Sequence, residues 1–135
     1  MHQLSVVHFV AKHASSDCGI ASLAMYLDKS YEDILATAAF ITKNRKVHRS
    51  GVYVTELIRI AHQYGVSLRQ KRHISYNDSL TVFGILIVMY PNKNRHAVLL
   101  REGQIFDPDD YSVWDYDSFL TQGDCKPTML LVEKC

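Results

Sequence analysis

The chain has 135 residues, 47% of them hydrophobic and 21% charged, and a formal net charge of +1. This is the composition of an ordinary globule with enough chain to bury its own core, and it predicts one domain over residues 1–135. The balanced charge excludes the strongly basic footprint of a general nucleic-acid binder, and no apolar run reaches the length of a membrane span.

Taken in chain order, Leu4 to Val10 reads as a short leading strand. The first ten residues lack a basic segment followed by a long apolar one, so no secretory signal is expected and the predicted location is cytoplasmic. Ile20, Leu23, Ala24 and Leu27 follow the i, i+3, i+4, i+7 spacing of one buried helix face, which predicts a first helix from Cys18 to about Leu27. Asp17 is a suitable N-cap type for it. Ser30-Tyr31-Glu32-Asp33 resembles a capping box and opens a second helix with Tyr31, Ile34, Leu35, Ala38 and Ile41 on one face. A third helix runs from about Val52 to Tyr64 and stops at Gly65. Strand candidates follow at 66–72, 81–90, 96–101, 104–107 and 128–133, with a short helix around Asp115 to Leu120 before the last of them. Helices grouped ahead of strands predict an α+β fold, with N-terminal helices on one side of a C-terminal antiparallel sheet.

Chemistry concentrates in two of these segments. Cys18 stands where a loop becomes a helix, so its thiol feels unpaired amides and the positive end of the helix dipole. Both favour thiolate, the nucleophilic form. Gly19 leaves the approach to the sulfur open, and Asp17 and His13 flank it, so all three are candidate substrate-contacting residues. The second segment, His96 to Pro108, reads as two apolar runs around Arg101-Glu102-Gly103-Gln104, a hairpin signal. A two-residue turn at Glu102-Gly103 pairs Arg101 with Gln104 and puts Val98 opposite Asp107. His96 then lies on the same face as Asp107, one diagonal away, at a backbone separation of roughly 7–8 Å that the two side chains can bridge. A three-residue turn would send them to opposite faces. In the first register Asp109 is directly opposite His96 and competes for the same role, as does Asp110. Nucleophile, base and orienting acid are thus all available, in the order Cys, His, Asp.

Asp17-Cys18-Gly-Ile-Ala-Ser-Leu-Ala-Met25 resembles the nucleophile helix of papain-like cysteine peptidases of the bacteriocin-leader, or double-glycine, group. It is also similar to the cysteine segment of phytochelatin synthases, which are papain-like transpeptidases. His96-Ala-Val-Leu and Phe106-Asp107-Pro108 resemble the histidine and aspartate motifs of the group, and Ser50-Gly51-Val52 leading into Leu57 to Ala61 and Tyr64-Gly65 resembles its third helix. The resemblance covers most of the chain and implies a papain-like hydrolase domain. Cys18, His96 and Asp107 would be its catalytic residues and the Cys18 backbone N–H half of an oxyanion hole. The family pattern favours Asp107 over Asp109. The chain departs from that pattern at Lys12, where the group carries a glutamine whose amide donates to the oxyanion. A lysine can donate there too, but from a long flexible stem.

The reaction so implied is peptide or amide cleavage through an acyl-thioester, with deamidation or acyl transfer open to the same residues and no metal or other cofactor needed. Transporter-fused members of the group cut leader peptides; this chain contains no transporter, so the expectation stops at a peptide or protein substrate. The alternatives are a catalytically weak papain-like domain that binds a peptide or protein, and a toxin or phage effector acting on a host protein or cell-wall peptide. Cys18, Cys125 and Cys135 form no CxxC pair, and His2, His8, His13, His48, His62 and His73 show no ligand spacing, so neither zinc nor a disulfide framework is expected. Two basic stretches, Lys43 to Arg49 and Arg69 to Arg72, read as solvated surface, with an acidic ligand as the alternative. No membrane partner is expected, nucleic acid is disfavoured, and the oligomeric state is not legible.

Overall fold

A computed structural model describes residues 7–10, 17–43, 46 and 51–134. Helix α1 is Cys18–Leu27, α2 is Tyr31–Ile41 and α3 is Val54–Gln63. Strand β1 (Leu68–Lys71), a short helix α4 (Tyr76–Thr81), then β2 (Phe83–Met89), β3 (Arg95–Arg101), β4 (Gln104–Asp107) and β5 (Ser112–Asp115) follow. Helix α5 (Tyr116–Gly123) leads into β6 (Lys126–Glu133). The strands form one antiparallel sheet in the order β1-β6-β2-β3-β4-β5, so the described architecture is α+β.

The helices form where local chemistry asks for them. Ser30 accepts from the Asp33 N–H, capping α2. Glu56 reaches back to the Tyr53 N–H at 2.9 Å at the start of α3. At the far end of α3, Gly65 adopts φ +80 and lets Val66 N–H turn back to the Ala61 carbonyl. The apolar stripe of α1 meets α2, α3 and one face of the sheet: Ile20, Leu23, Ala24, Leu57, Ile60, Ile85, Leu99 and Leu131 share one buried cluster. The opposite sheet face carries Leu86, Val88, Val98, Leu100, Ile105 and Leu130 and is not left to solvent. Phe119 of α5 is buried against it. The sheet is therefore covered on both faces, more than the expected one-sided arrangement.

Several local expectations need correction. Residues 7–10 are not in a strand, and Leu4 to Val6 of the expected leading strand lie outside the described residues. Helix α4 and strand β5 occupy stretches expected to be irregular. The signal for α4 is Ser75-Tyr-Asn-Asp78, a capping box in which Ser75 and Asp78 each satisfy the other's N–H. Asp17 precedes α1 as expected but makes no side-chain cap bond. Its carboxylate is wholly buried and accepts from the Tyr31 hydroxyl at 2.5 Å.

Candidate active site

The hairpin β3–β4 turns through Glu102 and Gly103, both at positive φ, 48 and 87, which is the backbone of a two-residue type I′ turn. The turn sets the register Leu99↔Phe106, Leu100↔Ile105, Arg101↔Gln104. Continuing it puts His96 and Asp107 on one face, and their side chains meet: Nε2 of His96 is 2.7 Å from Oδ1 of Asp107. Both residues are buried. The same Oδ1 accepts the Asp109 N–H at 3.0 Å, which holds the carboxylate in place.

Cys18 comes to this pair from the first turn of α1. In the β3–β4 register Ala97 falls opposite Pro108, just past the end of β4 and without an N–H to give. The polar backbone groups of Ala97 bond to α1 instead. Its N–H donates to Sγ of Cys18 at 3.4 Å, and its carbonyl accepts from the buried Ser22 hydroxyl at 3.0 Å. Cys18 and Ser22 are one helical turn apart, so the two bonds clamp one side of α1 to the residue next to His96.

The imidazole is held by Asp107 on one side and interacts electrostatically with the Cys18 thiol on the other. With Nε2 engaged by Asp107, Nδ1 is the nitrogen left for sulfur. Burial opposes the charged form of both groups, but their mutual attraction prevails. The Cys18 thiol is lowered below its usual range, by the neighbouring His96 and its charge and by the Ala97 N–H. The His96 imidazole is raised to about 10 by the Asp107 and Cys18 contacts. The arrangement favours a thiolate–imidazolium pair. Asp109, more exposed, has Oδ2 3.6 Å from the same Nε2. Donor atoms of His96, Asp107 and Asp109 lie within 4.8 Å of one another. At 2.7 Å from a carboxylate Nε2 is a hydrogen-bond donor, so its lone pair is not free to ligate a metal.

A cleft of about 630 Å³ opens at the sulfur. One wall is Gly51, Val52, Tyr53, Val54 and Leu57, and the other is Ile87, Tyr90, Asn92, Asn94, Arg95, Ala97 and Asp109. Gly19 lines it, and a Cβ there would turn onto Leu57 at 3.4 Å, an ordinary contact. Asp17, expected as a substrate contact, is sealed beneath the helix against Tyr31. Lys12 and His13 lie outside the described residues. Sequence reasoning missed the parts played by Ala97, Ser22 and Tyr90; an apolar strand residue used through its backbone leaves no signal in composition or spacing. The Cys18 N–H, at the first helical position, precedes the first intrahelical bond, from Ala21 N–H to the Asp17 carbonyl. Among the described residues no helix is long and apolar enough to cross a membrane.

A family model described as the Peptidase C39 family matches residues 6–109. Two solved structures share the fold. A double glycine motif protease from an AMS/PCAT transporter, in complex with its leader peptide, superposes with a TM-score of 0.68 at 19% identity, covering 96% of this chain and 92% of that one. The peptidase domain of Streptococcus mutans ComA gives a TM-score of 0.58 at 18% identity, covering 94% of this chain and 98% of that one. No curated protein matches the chain.

Proposed function

The chain belongs to the peptidase C39 family, and on that premise we propose that it is a cysteine peptidase acting through Cys18, His96 and Asp107. The observation that carries this is the buried His96, bonded to Asp107 at 2.7 Å, with Cys18 held by the neighbouring Ala97 N–H in the same open cleft. The Cys18 thiolate attacks the carbonyl carbon of a peptide bond, and the carbonyl oxygen becomes an oxyanion received by the Cys18 N–H. Lys12 is our candidate for the second donor. The His96 imidazolium gives its proton to the leaving nitrogen, the C–N bond breaks, and an acyl-thioester remains on Cys18. A water then loses a proton to His96 and attacks the thioester, releasing the acid and restoring the thiolate. Asp107 keeps the imidazole in the tautomer and orientation both steps need.

The substrate is a peptide or protein. The likeness to a protease seen with a leader peptide, one that acts at a double-glycine motif, supports a small-residue pair before the cut. Deamidation or acyl transfer would use the same residues but has no support beyond them. We place the activity in one domain over residues 1–135, in the cytoplasm, where thiols such as Cys18 and Cys125 stay reduced. The test is intact-mass spectrometry of protein mixed with peptides containing Gly-Gly, quenched in acid. An acyl adduct on Cys18, absent from Cys18→Ala, supports the proposal. A Cys18 that neither acylates nor alkylates at pH 6 overturns it in favour of a peptide-binding role.

A further inference from the structure

We propose that Asp109 is a second positioning residue of the site, sharing the His96 imidazole with Asp107 from the solvent side; this rests on the triad reading above. Its Oδ2 is 3.6 Å from the same Nε2 that Asp107 holds at 2.7 Å, and it also lines the cleft. The two carboxylates form one unit: Pro108 between them is buried, and the Asp109 N–H bonds to the Asp107 oxygen that faces His96. They differ in exposure, with side chains 11% and 41% accessible. Asp107 is therefore the fixed partner, and Asp109 is the one that a peptide entering the cleft would touch and dehydrate.

A negative charge in this place acts on both members of the pair in the same sense. It holds the proton on His96 and opposes the thiolate at Cys18, so it moves the pH window of the thiolate–imidazolium pair towards alkali. Among the described residues, the other titratable or charged groups near the pair are Asp107 ending β4, Tyr90 after β2, Arg95 on β3, Tyr53 before α3, Cys125 before β6 and the buried Asp17 at the N-cap of α1. The first turn of α1 carries no acidic residue. None of these except Asp107 puts a carboxylate on Nε2.

The experiment is the pH dependence of Cys18 carbamidomethylation by iodoacetamide, which needs no substrate, for the wild type, Asp109→Asn, Asp109→Glu, Asp107→Asn and the Asp107→Asn/Asp109→Asn double variant. Asp109→Asn keeps the backbone N–H bond to Asp107 and should shift both limbs of the profile to lower pH by roughly 0.5–1 unit, the effect of one solvent-screened charge at this distance. Asp109→Glu should restore the wild-type profile, and the double variant should lie further acidward than Asp107→Asn by a similar step. A merely structural Asp109 would move neither limb, so an Asp109→Asn profile that overlays the wild type, or limbs that move in opposite directions, overturns the proposal. A wild-type Cys18 no faster than Cys125 at pH 6 would instead overturn the triad reading itself, and this proposal with it.

Discussion

Ser22→Ala tests how the nucleophile helix is seated. The Ser22 hydroxyl is fully buried and its bond to the Ala97 carbonyl is 3.0 Å. Removing it leaves a buried acceptor without its donor, because Ala97 stands opposite Pro108 and past the β4 ladder. The expected loss is about 1–3 kcal/mol. For a chain of this size that lowers Tm by about 3–5 °C per kcal/mol, so roughly 3–15 °C in all. The second consequence is chemical. Without the Ser22 bond the Ala97 N–H bond to Sγ, at 3.4 Å, is the remaining half of the clamp, and the sulfur moves more freely against His96. Misplacement by about 1 Å can cost 10²-fold in rate, so a partly loosened clamp should slow Cys18 alkylation at pH 6 by about 3–10-fold. Thermal melts followed by circular dichroism, alongside alkylation measured well below each Tm, give both numbers. Thr81→Ala, which removes an exposed local bond to the Asn77 carbonyl, is the control and should change stability by less than about 0.5 kcal/mol. If Ser22→Ala lowers Tm but leaves alkylation unchanged, the clamp holds the fold and not the thiol; if neither changes, the argument fails altogether.

At pH 6 Cys18 should react with iodoacetamide well ahead of Cys125, whose thiol is buried and raised by that burial, and peptide mapping of the labelled protein will show which is modified. His96→Gln should move the acid limb of Cys18 alkylation towards the ordinary thiol value of about 8.5, since the imidazolium is the main group lowering it; a limb that stays put would remove His96 from the pair. In a Cys18→Ser background, which silences the thiol's opposite titration, the His96–Asp107 bond raises the folded-state imidazole above its unfolded 6.5, so its stabilisation is complete below pH 6.5 and is lost as pH rises towards the raised value. Urea melts across that range should fall with pH more steeply than those of the same protein carrying Asp107→Ala. Gly84→Ala places a Cβ 2.3 Å from the Leu131 carbonyl oxygen, a backbone atom between paired strands, and should cost about 3 kcal/mol or more, read as a lower urea midpoint.

Much of this protein is determined locally and is therefore legible in its residues. The stripe Ile20, Leu23, Ala24, Leu27 specifies α1 and its start at Cys18, because a helix with one buried face must repeat near 3.6 residues. Glu102-Gly103 specifies a two-residue turn, and with it the register that brings His96 onto the face of Asp107, because side chains alternate strictly along a strand. The cysteine motif carries the family. What needed the tertiary structure are the contacts between segments far apart in sequence. Asp17 reads as a helix cap, but the packing of α2 brings the Tyr31 hydroxyl to it and buries the carboxylate. Strand β5 has only four residues with no strong pattern and exists because β4 offers an edge to pair with. Ala97 is chemically silent in the sequence; it bonds to Cys18 and Ser22 only because β4 ends one residue too soon to take its N–H and carbonyl. Backbone groups are identical at every residue, so which of them a site uses is decided by where the ladder stops and what is packed beside it.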